Sequence, residues 1–310
     1  MSRKKVSIIM TVYKESKNEL KRSFESILNQ TYNNLEVIVV IDNPLEKWRE
    51  EFIRKYNDKR VKIYVNEQNI GLPLSLNRAL KHVTGDYIAR MDADDVSIYN
   101  RIEKQVEYIE MNNYDLVGSD VQYYFHNVSQ KIMKFPQEPK NINILLKYKS
   151  ALLHPTWLAK TEVFTKINGY RNIFTVEDYD FLLRAALNNF KMSCYPEILY
   201  KVSLSENSIS RTNSGRQELV AEFLRKKYRK NKIATDEEIT NFYYSKKYKR
   251  KINKYDFYCK MKDKRARNRN INTFKYFLYT ILLVLNLKYS VKEFQKKIIV
   301  KYLLWKERKK

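Results

Sequence analysis

Cysteine, glycine and proline are scarce in this chain of 310 residues, which contains 2, 5 and 6 of them, respectively. Two cysteines cannot build a disulfide framework, and so little glycine and proline excludes collagen-like and low-complexity proteins. The first apolar run, residues 6–10, is too short for an exported leader and is predicted to be a buried strand. We therefore expect a globular protein of the reducing cytosol, whose 44% hydrophobic residues suffice for one large or two modest domains.

Acidic residues are scarce only in the last third of the chain. Residues 211–310 hold 30 Lys and Arg against 9 Asp and Glu, whereas residues 1–210 hold 30 against 26. Most of the net charge of +25 therefore lies in a C-terminal block, which needs an anionic partner such as phospholipid, nucleic acid or an acidic protein. The most apolar window of this block, residues 276–287, has 12 residues, whereas a helix needs about 20 to span a bilayer.

Short β-branched runs alternate with amphipathic segments in the first 125 residues, which is typical of parallel βαβ units. The predicted strands are residues 6–10, 35–41, 61–65, 86–91 and 115–125. Helical periodicity predicts helices at residues 19–29, 48–56, 72–82 and 100–111. Further along, we predict mixed helix and loop at residues 142–167, a helix at 179–188 and a strand at 191–202. Basic, Tyr-rich helices follow a predicted domain boundary near Gly215.

Three carboxylates in four residues follow the predicted strand 86–91, at Asp92, Asp94 and Asp95. The carboxyl end of a parallel strand is where open α/β sheets bind ligands. Hard oxygen ligands at this spacing suit Mg²⁺ or Mn²⁺, which would neutralise a leaving diphosphate. A solvated acidic turn that caps the next helix is the alternative, and the segment alone leaves both interpretations open.

Five segments in the first 206 residues form an ordered set of motifs. They are VSIIMTVY at residues 6–13, SILNQTY at 26–32, NIGL at 69–72 followed by Asn77, GDYIARMDADD at 85–95, and EDYD at 177–180 followed by Arg184. In this order they resemble the motifs of family 2 glycosyltransferases with the GT-A fold. The resemblance implies an α/β protein in which a Rossmann-like, mainly parallel sheet is flanked by helices. It implies a GT-A domain at residues 1–215, with a nucleotide-sugar half to about residue 125 and an acceptor half at 126–215, followed by a basic helical region at 216–310.

The resemblance assigns Asp178 as the catalytic base and Asp94 as the metal ligand. It assigns the other site residues to the nucleotide sugar: Thr11, Tyr13, Glu15, Asp42, Asn69, Asn77, Arg90, Asp92 and Glu177. Tyr13 is expected close to the base or ribose, and Asp42 is expected to accept the N3–H of a uracil ring. Asp92 is expected nearer the ribose and diphosphate.

Residue chemistry alone leaves a second interpretation for several of these positions. Tyr13 at a strand end is also compatible with packing on a helix, and Asp42 before Pro44 with an ordinary turn. Residues 177–180 are compatible with acids at the positive end of a helix. Asp180 and Arg184, one turn apart, are predicted to form a supporting ion pair.

The expected reaction follows from the assigned roles. A sugar hydroxyl that attacks an anomeric carbon must lose its proton, and a carboxylate opposite the diphosphate can accept it. The resemblance therefore implies an inverting glycosyltransferase that uses a UDP-sugar, Mn²⁺ or Mg²⁺, and a glycan or lipid-linked acceptor. The product expected from the resemblance is part of a bacterial surface polysaccharide or a lipid-linked glycan.

The chain departs from the family pattern at three places. Ile41 stands where the family often has the first Asp of an Asp-Asp pair, which matters little if Asp42 reads the base. Leu76 stands where many relatives have an arginine, so the contact of that arginine to phosphate or base is either lost or supplied by Arg78 or Arg90. Residues 199–203 (LYKVS) stand where relatives often have a further histidine ligand, so we expect Lys201 or another cation to assist. The histidine at position 154 lies in a segment that resembles a loop before the acceptor region, and we predict a structural role for it.

The basic region alternates Lys and Arg with aromatic residues, which fits a helix lying on an anionic membrane. One predicted helix has an apolar face formed by Val291, Phe294, Ile298, Tyr302 and Trp305. We therefore expect a peripheral protein at the inner face of the cell membrane. Packing of these helices on each other or on a partner subunit is an alternative. Single-stranded nucleic acid is disfavoured because the apolar window 276–287 has no use on RNA.

Two further classes of protein remain as alternatives. A nucleotidyltransferase has a related sheet but normally opens with a glycine-rich loop, and residues 11–17 contain no glycine. A basic protein that binds nucleic acid or membrane through a non-catalytic GT-A domain is disfavoured because Asp42, Asp94 and Asp178 are all present.

Overall fold

The computed structural model describes residues 3–125, 128–173, 175–204, 214–267, 273–285 and 287–309. The chain divides into two compact units, one formed by residues 1–144 and 150–205, the other by residues 145–149 and 206–310. The boundary predicted near Gly215 falls just inside a helix that begins at Ser214.

The described part of the first unit is built on a mixed sheet of nine strands. The strands are β1 (Val6–Val12), β2 (Leu35–Ile41), β3 (Val61–Val65), β4 (Tyr87–Asp92), β5 (Val96–Ser97), β6 (Leu116–Phe125), β7 (Val128–Met133), β8 (Leu158–Lys160) and β9 (Met192–Ser203). Their order is β3-β2-β1-β4-β8-β6-β9-β5, with β7 paired to β6. Strands β3, β2, β1 and β4 are parallel, β8 runs antiparallel to both β4 and β6, and β9 is parallel to β6.

The helices of this unit follow the predicted alternation with the strands. They are α1 (Lys17–Leu28), α2 (Trp48–Arg54), α3 (Leu72–Leu80), α4 (Arg101–Asn112), α5 (Pro139–Leu146), α6 (Thr161–Lys166) and α7 (Glu177–Leu187), with a 3₁₀ turn at His154–Thr156. Local chemistry sets their ends. A reciprocal capping box of Ser16 and Glu19 starts α1, and Asn113 in the left-handed conformation ends α4.

The parallel half of the sheet confirms the predicted βαβ pattern. All of β2 is buried, and Thr11 is the one residue of β1 that is not. A strand buried on both faces reads as a continuous apolar run, which is why the sequence shows these two strands clearly. Strands β5, β7 and β8 were not predicted, because two of them have two or three residues and β7 is exposed along nearly all its length. Such strands carry no periodic apolar pattern.

The second unit is helical over its described residues, as predicted for the basic region. Its helices are α8 (Ser214–Tyr228), α9 (Asp236–Tyr244), α10 (Lys246–Arg267), α11 (Thr273–Leu285) and α12 (Leu287–Arg308). Helix α10 packs against α8 and α11 and buries Tyr255, Tyr258 and Met261. Within the described residues, no helix combines the length and the apolar character that crossing a membrane would require.

Candidate active site

The candidate site lies where β1, β4 and β9 end. Thr11 and Asp92 are register partners on the neighbouring parallel strands β1 and β4, so the end of β1 is beside the start of the acidic segment. Asp92 is the last residue of β4, and Asp94 and Asp95 follow it in the turn before β5. The site is therefore at the carboxyl edge of the parallel half of the sheet, where such folds bind ligands.

The three carboxylates of this turn converge. One oxygen from each of Asp92, Asp94 and Asp95 lies within 4.8 Å of the others. Two backbone contacts fix the turn: Ser23 Oγ donates to the Asp92 carbonyl at 2.8 Å, and the Ser203 N–H donates to Asp95 Oδ1 at 2.7 Å. The set consists of hard oxygen donors only, which is the ligand type that Mg²⁺ and Mn²⁺ prefer.

Electrostatics in this turn favour a bound cation. Burial, followed by the charges of Asp92 and Glu15, raises the pKa of the Asp94 carboxyl to about 7. Burial also raises the pKa of Asp95 and of Glu15. Carboxylates crowded in this way hold protons unless positive charge compensates them. The donor set and its surplus of negative charge therefore both fit a divalent cation.

A buried arginine is the fixed positive charge beside these acids. Arg90 on β4 is almost completely buried, and its Nη1 lies 2.6 Å from Asp92 Oδ1. Beneath it, Arg101 Nη2 donates to the Arg90 carbonyl at 2.9 Å. The Arg90 charge also acts on Glu177 and Asp178, where it partly offsets the increase in pKa that burial causes. Arg90 thus links the acidic turn to the acids at the start of α7.

Glu177 and Asp178 form the second acidic group of the site. They begin α7, where the helix dipole favours negative charge. Burial raises the pKa of Asp178 to about 6, although hydrogen bonds, including one of 2.6 Å from the Tyr179 N–H, act in the opposite direction. Burial and the charge of Asp178 raise the pKa of Glu177 to about 8. The charge of Asp92 also raises the pKa of Glu177 and of Asp178, so the two acidic groups interact electrostatically.

The backbone just before these acids is strained. Thr175 has a φ of +71°, which a β-branched residue rarely adopts. Strain of this kind concentrates at functional sites, where the surrounding structure enforces it. Behind the acids, Asp180 accepts from Arg171 Nε at 2.9 Å and from Arg184 Nε at 2.7 Å, so the predicted pair of Asp180 and Arg184 is present.

Asp42 lies apart from the other acids, at the end of β2, which β1 separates from β4. Its buried carboxylate accepts three hydrogen bonds from the chain. Asn66 Nδ2 and the Ile70 N–H reach Oδ1 at 2.7 and 2.9 Å, and the Gly71 N–H reaches Oδ2 at 2.9 Å. Asp42 therefore holds the loop that precedes α3.

The structure engages Asn77 and Arg78 in contacts within the chain. Asn77 Nδ2 donates to the Tyr170 carbonyl at 2.6 Å, and Asn77 Oδ1 accepts from the Tyr170 N–H at 2.8 Å. Arg78 Nη1 donates to the Val65 carbonyl at 2.8 Å. These contacts join α3 to the loop before α7 and to the end of β3.

The remaining predicted donor residues differ in exposure. Asn69 is exposed, and Tyr13 is 36% exposed beyond the end of β1. The Tyr13 N–H donates to Glu15 Oε2 at 2.7 Å, which orders the loop after β1. Lys201, expected to assist a cation, has its ammonium 5.5 Å from the centroid of the Tyr124 ring.

Sequence reasoning missed one buried group at the site, Tyr200, and assigned another, His154, a structural role. The Tyr200 hydroxyl accepts a hydrogen bond of 3.1 Å from the Asp92 N–H. His154 Nε2 lies 2.8 Å from the Tyr170 hydroxyl, and burial lowers the pKa of this histidine well below its usual value. The only sequence signal for Tyr200 was its place in the 199–203 segment, and the buried His154 agrees with the predicted structural role.

Sequence comparisons identify relatives over most of the chain. The family model of Glycosyl transferase family 2 matches residues 7–167. An uncharacterized glycosyltransferase of Methanocaldococcus jannaschii is 35% identical over 241 residues, which cover 75% of this chain and 82% of that protein. The O-antigen biosynthesis glycosyltransferase WbnJ of Escherichia coli is 38% identical over 183 residues, which cover 58% of this chain and 70% of that protein.

Two solved structures share the fold. S. aureus TarS in complex with UDP-GlcNAc matches with a TM-score of 0.58 and 20% identity, over 78% of this chain and 74% of that one. The mannosyltransferase PcManGT of Pyrobaculum calidifontis, in complex with GDP-Man and Mn²⁺, matches with a TM-score of 0.59 and 16% identity, over 97% of this chain and 85% of that one. These likenesses confirm the predicted fold class.

Proposed function

This chain belongs to glycosyl transferase family 2, and we propose that it is an inverting enzyme that moves a sugar from a UDP-sugar to a hydroxyl of a glycan or lipid-linked acceptor. The family model and the glycosyltransferase relatives confirm the family and the enzyme class predicted from the motifs. The observation that carries the proposal is the half-buried Asp178, whose pKa is raised to about 6 by burial and is also shifted by the charges of Arg90 and Asp92. A non-catalytic binding protein is not favoured, because such a protein has no need of a base held in this way.

Asp178 is the proposed general base. As the acceptor oxygen bonds to the anomeric carbon, Asp178 takes its proton, and the bond from that carbon to the diphosphate oxygen breaks. The electron pair of the broken bond leaves with the nucleoside diphosphate, and a single displacement inverts the anomeric configuration. Glu177, whose higher pKa of about 8 keeps it largely protonated at neutral pH, leaves Asp178 as the ionised partner of the two.

Asp94, with Asp92, is the proposed holder of a divalent cation, Mn²⁺ or Mg²⁺. The support is the convergence of the carboxylate oxygens within 4.8 Å and the raised pKa of Asp94. When bound, such a cation supplies positive charge to the diphosphate oxygens. Arg90 neutralises part of the charge of Asp92 and leaves Asp94 as the acid with no fixed countercharge among its main electrostatic neighbours.

A test of the base replaces Asp178 with asparagine, which keeps the shape but cannot accept the proton. We expect the Asp178→Asn variant to release UDP from the UDP-sugar and acceptor about 10²- to 10⁴-fold more slowly than the wild type. Glu197→Gln, which neutralises a half-exposed carboxylate on a different element, β9, is the matched control and should retain wild-type turnover. Undiminished turnover by Asp178→Asn would refute the assignment.

The uracil base is proposed to bind at Asp42. A carboxylate offers about four acceptor positions, and three hydrogen bonds from the chain leave one for a base N–H. Uracil has a donor at N3, whereas cytosine has an acceptor there. A hydrogen bond to a charged group contributes about 1.5–3 kcal/mol. We therefore expect UDP to bind at least about tenfold more tightly than CDP in calorimetric titrations, and equal affinities would exclude Asp42 as the base-reading group.

The acceptor side of the proposal rests on α12. Its predicted apolar face is exposed, with Phe294 at 64% and Trp305 at 52%. On α12, Lys292 pairs with Glu222 of α8 at 2.9 Å, and Lys296 pairs with Glu218 at 2.8 Å. These ion pairs hold part of the charged face inward, so the apolar face turns to solvent.

An apolar stripe on a strongly basic unit complements an anionic bilayer, which offers both acyl chains and negative headgroups. We propose that this stripe binds the inner face of the cell membrane, where a lipid-linked acceptor for a surface polysaccharide would be found. Nucleic acid offers no acyl phase for the stripe.

Flotation with vesicles tests this binding. Wild type should bind vesicles that contain phosphatidylglycerol, and the double variant Phe294→Ser, Trp305→Ser should lose most of that binding. Leu45→Ser, which changes an exposed leucine of the other unit, serves as the control. Equal binding by the wild type and the double variant would contradict the proposal, and binding of RNA in place of vesicles would favour the alternative partner.

A further inference from the structure

Tyr200 lies where β9 meets the acidic turn. It is fully buried, and it is the register partner of Ser97 on β5 and of Val121 on β6. The Arg101 guanidinium lies 5.0 Å from the centroid of its ring, which adds a cation–π contact. The ring is therefore held from several sides, and its hydroxyl has a defined position.

That hydroxyl contacts the turn at residues 92–95 by accepting from the Asp92 N–H at 3.1 Å. It also lowers the pKa of the Asp95 carboxyl, which burial raises. Three residues later on β9, the Ser203 N–H donates to Asp95 Oδ1 at 2.7 Å. Strand β9 is thus hydrogen-bonded to the first and the last aspartate of the acidic turn, and Asp94 lies between them.

We propose that Tyr200 is a positioning residue that holds the carboxylates of Asp92, Asp94 and Asp95 together for a divalent cation. The inference rests on the proposed function, because it concerns the cation assigned there to Asp94. When they are ionised, carboxylates within 4.8 Å of one another repel, and hydrogen bonds to the turn oppose that repulsion. Groups that orient metal ligands through hydrogen bonds typically contribute 10- to 100-fold to metal affinity.

This role explains how residues 199–203 serve the site without the histidine expected there. Lys201, the cation expected to assist, lies against Tyr124. The segment acts instead through a phenol hydroxyl and a backbone N–H, neither of which needs to touch the cation.

The test measures Mn²⁺ binding by electron paramagnetic resonance, in the absence of sugar nucleotide. Tyr200→Phe removes one oxygen and keeps the buried ring. We expect its Mn²⁺ dissociation constant to be about 10- to 100-fold larger than that of the wild type. Tyr195→Phe, on the same strand but with its ring packed against Tyr108, is the matched control and should bind Mn²⁺ as the wild type does.

Thermal melting separates positioning from general support of the fold. A purely structural role predicts a lower melting temperature for Tyr200→Phe with unchanged Mn²⁺ affinity, and that result would overturn the proposal. If Tyr200→Phe does not fold, Ser203→Pro removes the second tie to the turn, and it should also weaken Mn²⁺ binding. Unchanged affinity in that variant, or no Mn²⁺ binding by the wild type, would equally overturn it.

The outcome is distinguishable from failure of the proposed function. A wild type that binds Mn²⁺ but transfers no sugar would contradict sugar transfer and leave the positioning role intact. If the wild type transfers sugar but both variants bind Mn²⁺ as tightly as it does, the positioning role is contradicted and the proposed function stands.

Discussion

At the scale of single residues, the site is governed by the balance between one arginine and several acids. Arg90 forms an ion pair with Asp92 and lowers the pKa of Glu177 and Asp178 across the site. Burial acts the other way and raises the pKa of each acid. The protonation state of the proposed base therefore depends on a charge in a different segment of the chain.

Sugar transfer is expected to fall at acidic pH. The proposed base works only when ionised, and its pKa of about 6 means that about half of the Asp178 is protonated at pH 6. One unit lower, only about a tenth remains ionised. The kcat/KM profile of the wild type should therefore decline below about pH 6. A profile that stays flat from pH 7 down to pH 5 would contradict this prediction.

Removing the charge of Arg90 should move that decline to higher pH. Arg90→Gln takes away the cation that lowers the pKa of Asp178, so the base becomes protonated at higher pH than in the wild type. Arg90→Lys keeps a positive charge and should give an intermediate profile. Arg78→Gln, at a residue bonded to Val65, is the control and should leave the position of the decline unchanged. A decline at the same pH in Arg90→Gln would show that this charge does not act on the base.

At the scale of elements, close contact between strands sets the frame of the site. A Cβ at Gly85, just before β4, would lie 2.8 Å from both the Lys5 carbonyl oxygen and the Ser7 nitrogen of the β1 segment. A Cβ at Gly118 on β6 would instead meet side-chain atoms, Thr156 Oγ1 at 3.0 Å and Leu152 Cδ2 at 3.2 Å. Backbone atoms of a sheet cannot move aside as side-chain ends can.

The two glycines should therefore differ in their tolerance of alanine. Gly85→Ala is expected to lower the free energy of unfolding by about 3 kcal/mol or more, and Gly118→Ala by about 1 kcal/mol. Urea denaturation followed by circular dichroism measures both values under the same conditions. Equal losses, or a larger loss for Gly118→Ala, would mean that the spacing of β1 and β4 is more adaptable than the contacts at Gly85 indicate.

At the scale of the whole molecule, the uneven distribution of charge is the dominant feature. Residues 211–310 carry a net charge of +21, from 30 Lys and Arg against 9 Asp and Glu, whereas the first 210 residues are nearly neutral. Some of these charges are used internally, as in the pairs of α8 with α12. The proposed membrane binding would draw on this surplus, since positive charge attracts an anionic surface.

Vesicle binding by the full chain should therefore depend on salt and on lipid charge. Near an anionic leaflet each Lys or Arg contributes about 1 kcal/mol, and salt screens this attraction over about 8–10 Å at 0.1–0.15 M. Binding to vesicles with phosphatidylglycerol should weaken markedly between 0.1 and 0.5 M NaCl, and binding to neutral phosphatidylcholine should be weak throughout. Binding that is independent of salt and lipid charge would leave the apolar stripe of α12 as the sole contact.

Much of the first unit was predictable from the sequence because local features encode it. Buried parallel strands read as apolar runs, and helices as periodic faces with capping residues, so β1, β2, β3 and β4 and the helices between them lie close to the predicted residues. The acidic turn was visible for the same reason, since its three aspartates are adjacent in sequence. The exposed apolar face of α12 was predictable too, because its spacing is helical.

Tertiary structure alone decided the rest. The insertion of antiparallel β8 between β4 and β6 depends on pairing with segments about 70 and about 40 residues away, and three residues carry no signal for it. Other features of the site also depend on segments that are distant in sequence. They are the burial of Arg90, the three hydrogen bonds to Asp42 and the contact of Tyr200 with Asp92. The sequence by itself determined which residue types and which regular elements are present. Which charges meet, and which polar groups satisfy one another, followed only from folding, because those interactions depend on distances in space that sequence spacing does not encode.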